Sequence, residues 1–165
     1  MSISDEIKMR VSEGRLVQFN PEIGSSTPRP VFLLPDVDQL VTGPWDENVA
    51  DEMAAVRLDL ENFTMGGHVS ATFKRTPGAD LKRLTTKARD VWEIRIQQPA
   101  LYRLFGFFAE EDVFVGCDLC PRDYVHFDDD IPNARKAWAE LFPHHAPLIS
   151  ENIHDYIHEA VVFLR

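Results

Sequence analysis

The chain has 165 residues, of which 44% are hydrophobic and 27% are charged, a composition typical of one folded domain with an apolar core. No stretch approaches the ~20 apolar residues that a membrane-spanning helix needs, and the first ten residues lack the apolar segment of a secretory signal. The net charge of -10 argues against a general nucleic-acid coat, because such binding depends on Lys and Arg. We therefore expect a cytoplasmic protein with no membrane partner, in which any nucleic-acid site is local.

Residues 1–30 are predicted to form an extension in front of the main domain. Apolar and polar residues alternate from Ile7 to Phe19 around the turn-forming segment 12–15, and this pattern predicts a small β-hairpin. Residues 21–30 contain three prolines and a glycine. Such a composition predicts a linker without regular structure.

A short strand and two helices are predicted next. VFLL, beginning at Val31, is a short apolar strand, and Pro35 opens a brief helix over PDVDQLV, because proline is tolerated in a first helical turn. A longer helix is predicted because apolar residues then recur at steps of three and four: Trp45, Val49, Met53, Val56, Leu60 and Phe63. Gly66-Gly67 can end this helix. The segment ADLKRL, residues 79–84, is predicted to form one more helical turn.

The stretch from residue 91 to residue 119 predicts a meander of three antiparallel strands. In WEIRI the side chains alternate between two faces, so that Glu93 and Arg95 share the face opposite the apolar residues. Pairing Arg95 with Arg103 keeps the apolar residues of the first two strands together. The predicted apolar face consists of Trp92, Ile94, Ile96, Tyr102 and Leu104. The third strand, VFVGCDL, is apolar on both faces and is predicted to be central in the sheet.

Residues 128–165 are predicted to form a helical extension behind the main domain. Asp130 can cap a helix over residues 131–142, and Ser150 can cap a second one in the segment of residues 149–164. Two prolines, Pro143 and Pro147, separate them.

Positive charge is concentrated in one part of this acidic chain. Residues 74–103 have a balance of +5, because they hold eight of the seventeen basic residues and only three acidic ones. The eight are Lys74, Arg75, Lys82, Arg83, Lys87, Arg89, Arg95 and Arg103. An anion-binding face and an ordinary solvated surface both account for such a cluster.

The order of these elements resembles the RelE/HigB-like toxin family, including its phage-derived branch. The resemblance covers about residues 31–126 and rests on LKRL, WEIRI, YRLFGFF and VFVGCDL in this order. It implies an α+β domain over residues 31–127, in which an N-terminal strand and a helical hairpin pack on an antiparallel meander of three to four strands. The C-terminal helices would follow this domain.

The resemblance also implies a function and a site. Members of the family are ribosome-dependent mRNA endoribonucleases of type II toxin-antitoxin systems, which an antitoxin protein neutralises and which need no metal or cofactor. By resemblance, Arg95 and Arg103 contact the scissile phosphate, and Arg122, Tyr124 and His126 supply the remaining catalytic groups. The basic segment that precedes the strands would bind RNA through Lys82, Arg83 and Lys87.

The chain also departs from this family. It is acidic, it carries long extensions, and Glu93 stands where some active members have lysine. A non-catalytic RelE-like protein-interaction module of phage-derived type is therefore the alternative, in which Arg95 and Arg103 pair with Glu93 and neighbouring carboxylates.

Two further patterns contain groups that can bind metal. Cys117 and Cys120 form a single CxxC pair, which His126, His144 and His145 could complete as a zinc site. His154 and His158 lie four residues apart on a predicted helix, but the intervening glutamate of the HExxH pattern is an aspartate here. Neither pattern is a full ligand set, and we predict no metal site.

Overall fold

The computed structural model describes residues 1–19, 27–74, 76–84, 88–98 and 101–162. The helices in these ranges are α1 (Ile3–Ser12), α2 (Pro35–Thr42), α3 (Ala50–Thr64) and α4 (Phe127–Leu141). The strands are β1 (Val17–Phe19), β2 (Val31–Leu33), β3 (Ser70–Thr72), β4 (Leu81–Arg83), β5 (Trp92–Ile96), β6 (Tyr102–Glu110), β7 (Val113–Pro121) and β8 (Val161–Val162). The predicted α+β class is confirmed. None of the described helices is long and apolar enough to cross a membrane.

All the described strands belong to one mixed sheet, in the order β1-β2-β7-β6-β5-β4-β3-β8. The meander β5-β6-β7 is antiparallel, whereas β2 runs parallel to β7, and β3 runs parallel to both β4 and β8. The predicted count of three to four strands is therefore wrong. The strands that extend the meander have three residues or fewer, which is too short for alternation to be recognised in a sequence.

The predicted register of the meander is confirmed. Arg95 lies opposite Arg103, Ile94 lies opposite Leu104, and β7 lies between β6 and β2, as a central strand should. The register follows from the apolar face, because a slip of one residue would turn the apolar side chains of one strand toward the charged face.

Helices cover both faces of the sheet. On one face α2 and α3 pack through residues such as Val41, Val56 and Leu60 against Trp92 and Leu104. On the other face α1 and α4 contribute a second apolar layer, whose members include Ile7, Phe107, Val115, Trp138 and Leu141. Residues of both predicted extensions thus take part in the core.

The predicted N-terminal hairpin is wrong, because residues 3–12 form α1. The hydroxyl of Ser2 accepts a hydrogen bond from the backbone N–H of Asp5 and caps this helix. One face of α1 is buried, and its residues Glu6, Ile7 and Arg10 have helical spacing. In the sequence this spacing was obscured by the alternation of apolar and polar residues in the same segment. The predicted linker is covered by the description only from residue 27 onwards.

Two predicted helical segments in the middle of the chain differ from the structure. The turn predicted over ADLKRL is wrong, because Leu81–Arg83 pairs with β5 as a strand. The long helix begins at Ala50 instead of near Trp45. The indole of Trp45 donates a hydrogen bond to the carbonyl oxygen of Leu40, so Trp45 belongs to the loop between α2 and α3.

The C-terminal prediction is confirmed for one helix and wrong for the other. Helix α4 begins at Phe127, before the predicted cap Asp130, whose carboxylate accepts the backbone N–H of His126. The second predicted helix is replaced by a short 3-10 turn (Ile153–Asp155) and by β8. Tyr156 and Ile157 are fully buried against the sheet, so tertiary packing outweighs the local helical pattern.

Gly106 is expected to tolerate no side chain. A Cβ atom built there would overlap the carbonyl oxygen of Val115 and would lie 2.7 Å from Cζ of Phe114. We expect Gly106→Ala to lower the free energy of unfolding by about 3 kcal/mol, the upper end of the usual cost of overpacking. Urea denaturation measures this loss.

Gly116→Ala is the matched control in the neighbouring strand. Its Cβ would meet only the tips of two leucine side chains, 2.8 Å from Cδ2 of Leu33 and 3.0 Å from Cδ1 of Leu104. Because these side chains can move, we expect a loss of about 1 kcal/mol. Equal losses for the two variants would contradict the contact between Gly106 and the backbone of β7.

Candidate functional site

A cleft of about 540 Å³ lies where the charged face of the meander meets the start of α4. Its volume is within the usual range for small-ligand sites. The lining residues are Lys82, Leu84, Glu93, Arg95, Arg103, Arg122, Val125, Phe127 and Ile131. We call this space the basic cleft, because four lining side chains are basic and one is acidic, a formal balance of +3.

Four of the predicted site residues therefore line one cleft. The register of β5 and β6 places Arg95 beside Arg103, and the pairing of β4 with β5 places Lys82 opposite Glu93. Arg122 directly follows β7 and begins the 3-10 turn Arg122–Tyr124. Three neighbouring strands and one turn thus bring these cations together from positions up to forty residues apart.

Glu93 forms the centre of this charge cluster. Its carboxylate oxygen Oε1 accepts a hydrogen bond of 2.7 Å from Nε of Arg95, and Oε2 lies 3.8 Å from Nε of Arg103. Arg95 also donates to the carbonyl oxygen of Thr76 at 2.9 Å. Glu93 is 3% exposed, whereas Arg95 and Arg103 beside it are partly buried. The sequence pattern placed Glu93 on this face, but Glu93 was not among the predicted site residues.

The local field in the basic cleft favours an anion. Burial lowers the pKa of the Arg103 guanidinium, and the charges of Arg95 and Arg122 lower it further, while Glu93 opposes the shift. Arginine stays charged at neutral pH in spite of such a shift. A bound anion would relieve the repulsion among the three guanidinium groups.

Acidic groups border the same cleft. The carboxylates of Asp118 and Asp130 and the thiol of Cys120 lie within 4.8 Å of one another. Burial raises the pKa of Cys120 to about 12, and both carboxylates contribute to the shift, while Arg103 opposes it. The thiol is therefore protonated at neutral pH when no metal is bound.

The sequence patterns that contain metal-binding groups do not form complete sites in the described part of the chain. Cys117 is buried in the apolar layer and is not part of the group around Cys120, and that group includes no histidine. His154 lies in the 3-10 turn Ile153–Asp155 and His158 lies after it, so the two do not share the α-helix that was predicted. Nδ1 of His158 lies 3.0 Å from Oε1 of Glu111.

Arg83 is a predicted RNA-binding residue that the structure places elsewhere. Because β4 is a strand and not a helical turn, Lys82 and Arg83 point to opposite faces of the sheet. The Arg83 guanidinium lies 3.8 Å from the centre of the Phe73 ring and donates to the carbonyl oxygen of Ser150. It ties the C-terminal segment to the sheet and does not line the basic cleft, and binding of RNA by Arg83 stays a prediction.

The remaining predicted site residues lie at the margin of the basic cleft or outside the residues that the structure describes. Tyr124 is 70% exposed, and His126 is an exposed residue at the start of α4. Neither lines the basic cleft, although Val125 and Phe127 beside them do. Lys87 lies outside the described residues.

A second cleft, of about 410 Å³, lies on the opposite face at the same end of the sheet. We call it the apolar groove, and its lining residues are Asp36, Gln39, Leu40, Pro44, Trp45, Asp46, Val49, Met53, Tyr102, Leu119 and Pro121. The hydroxyl of Tyr102 donates a 2.8 Å hydrogen bond to Glu52, and burial together with this bond raises the pKa of Tyr102 to about 12. Its charged lining residues are acidic, in contrast to those of the basic cleft.

No family model, no curated protein and no solved structure matches this chain.

Removal of the central carboxylate should destabilise the fold. We expect Glu93→Gln to lower the free energy of unfolding by about 3 kcal/mol, because the partly buried Arg95 and Arg103 would lose their buried counter-charge. Thermal and urea unfolding measure this change.

Glu151→Gln is the matched control, since Glu151 also pairs with two arginines, Arg83 and Arg89. Its side chain is 64% exposed, so we expect a loss below about 1 kcal/mol. A Glu93→Gln variant as stable as the control would contradict the central position of Glu93 in the charge cluster.

Proposed function

We propose that the chain is a metal-independent endoribonuclease that cuts mRNA on the ribosome, and that the basic cleft holds the scissile phosphate. The single observation that carries the proposal is the convergence of Lys82, Arg95, Arg103 and Arg122 on one cleft of an otherwise acidic protein. The resemblance of the sequence to RelE/HigB-like toxins supports the ribosome as the place of action and an antitoxin protein as the neutralising partner.

The cleft contains groups suited to RNA cleavage by the 2′-hydroxyl. In this reaction the 2′-oxygen attacks the phosphorus, the bond to the 5′-oxygen breaks, and negative charge develops on the non-bridging oxygens. Arg95 and Arg103 are assigned to bind those oxygens, because guanidinium groups donate paired hydrogen bonds to phosphate.

Proton transfer needs an acceptor and a donor near the phosphate. Glu93 is the only carboxylate among the described residues that line the cleft, and it is assigned to accept the proton of the 2′-hydroxyl. His126 and Tyr124 remain the proposed donors to the 5′-oxygen, from the margin of the cleft.

Loss of the two central arginines should abolish the activity. Expression of the unchanged chain without a partner should arrest growth and truncate ribosome-bound mRNA. Expression of an Arg95→Ala/Arg103→Ala double variant should have neither effect, because the scissile phosphate would lose its main ligands. Growth curves and mapping of mRNA ends measure the two effects. Arg122→Ala should also weaken cleavage. Because Arg122 is exposed, this change leaves the buried carboxylate of Glu93 paired with Arg95 and Arg103.

The matched control is Arg15→Ala/Arg135→Ala, which removes the same charge from two arginines outside the cleft. It should arrest growth as the unchanged chain does. Harmless expression of the unchanged chain, or equal toxicity of a folded Arg95→Ala/Arg103→Ala variant, would refute the endoribonuclease proposal.

A protein-interaction module is the second candidate function, and the apolar groove favours it. Leu40 is 52% exposed and Val49 is 37% exposed at this groove, whose charged lining residues are Asp36 and Asp46. An apolar surface with an acidic rim suits a partner segment that presents an apolar side chain between lysines or arginines. The pairing of Arg95 and Arg103 with Glu93 is consistent with this candidate, because it partly neutralises the basic cleft.

Synthetic peptides can test this second candidate. We expect a peptide with a central leucine flanked by lysines to bind more tightly than the same peptide flanked by glutamates. Leu40→Ala should weaken the binding about tenfold through lost apolar contact, whereas Leu58→Ala, at a 56% exposed position outside the groove, should not change it. Fluorescence anisotropy measures these affinities, and equal binding of both peptides would contradict the partner chemistry.

A further inference from the structure

The basic cleft has two chemically different sides. The basic residues lie on the sheet and on the turn after β7, whereas the side formed by Leu84, Val125, Phe127 and Ile131 is apolar. A phosphate alone needs only the first side. The apolar side indicates that the natural ligand carries a flat or apolar group next to its anion.

Phe127 is the residue of the apolar side best suited to contact such a group. Its side chain is 49% exposed, although it packs edge to face on Phe105 with 6.0 Å between the ring centres. The contact with Phe105 fixes one side of the ring, and the exposed part lines the cleft. Aromatic rings held in this way are the usual stacking partners of unpaired nucleobases.

The start of α4 does not compete for the phosphate. The first turn of this helix carries three aspartates, and the carboxylate of Asp130 accepts the backbone N–H of His126 at 2.7 Å. The anion is therefore directed to the arginines, and the group attached to it faces the apolar side. This direction places the phosphate and the base of one nucleotide on the two sides of the same cleft.

We infer that the basic cleft is a site for one nucleotide of a single strand, with the phosphate on Arg95 and Arg103 and the base stacked on Phe127. The inference rests on the proposed function and adds the residue, Phe127, that contacts the base next to the bound phosphate. In a duplex the base is paired and stacked and cannot reach the ring, so the cleft selects single-stranded RNA.

Binding experiments on the full chain distinguish the contribution of the basic side of the cleft from that of its apolar side. We expect a labelled single-stranded RNA hexamer to bind more tightly than an RNA duplex and more tightly than an abasic sugar-phosphate hexamer. Phe127→Ala should weaken binding of the RNA hexamer about tenfold and leave binding of the abasic hexamer unchanged, because only the stacking contact is lost. Phe127→Trp keeps an aromatic ring and should bind the RNA hexamer more tightly than Phe127→Ala does. A merely structural role of Phe127 would not predict this recovery.

Leu58→Ala is the control for an exposed apolar residue outside the cleft, and it should bind the RNA as the unchanged chain does. Equal affinity of the unchanged chain for the RNA and abasic hexamers, or unchanged RNA binding in Phe127→Ala, would overturn the base-stacking inference and leave the proposed function standing. No binding of either hexamer by the unchanged chain would also overturn the base-stacking inference, whereas the proposed function fails only if expression of the unchanged chain neither arrests growth nor truncates ribosome-bound mRNA. Thermal unfolding of each variant confirms that the comparison is made on folded protein.

Discussion

The pairing of Arg95 with Arg103 across β5 and β6 is the constraint on which the candidate site depends. Two like charges directly opposite each other on neighbouring strands are unfavourable, so this register must be enforced from elsewhere. The buried residues on the back of the same strands, Trp92 and Leu104 among them, enforce it, because a shifted register would turn them toward the charged face. The packing of the apolar face thus fixes the positions of Arg95 and Arg103 on the charged face. Glu93 reduces the repulsion between these two arginines.

The cleft exists because the second helical layer covers only part of this charged face. Helices α1 and α4 pack on the sheet together, and Nε of Arg10 in α1 donates a 2.7 Å hydrogen bond to the carbonyl oxygen of Leu141, at the end of α4. The buried charge of Arg10 is balanced by Glu6, which also lies 3.2 Å from His145. This polar network fixes the far end of α4, while its start at Phe127 forms the apolar side of the cleft. Residues outside the meander are therefore necessary for the shape of the site.

The sequence predicted the parts of the site that lie on long strands. Alternation in β5 and in β6 was sufficient for the register, and the register brought Arg95 and Arg103 together. Three-residue β4 gave no such signal, and so a helical turn was predicted in place of the strand that separates Lys82 from Arg83. The contact between α1 and α4 joins residues 131 positions apart, and no local pattern reveals it. Glu93 was on the predicted face and its pairing with Arg95 and Arg103 was the alternative interpretation, and the structure contains both pairs.

The contrast between the charge of the cleft and that of the whole chain also bears on what can bind. A net charge of -10 repels an extended nucleic-acid surface, while the +3 balance of the cleft attracts a phosphate only at short range. At physiological ionic strength charges are screened over about 8 Å, so the attraction is confined to groups that enter the cleft. A flexible single strand can place one phosphate there and keep its other phosphates away from the acidic surface. A rigid duplex would bring many phosphates against that surface at once, and the charge distribution itself therefore favours a single strand.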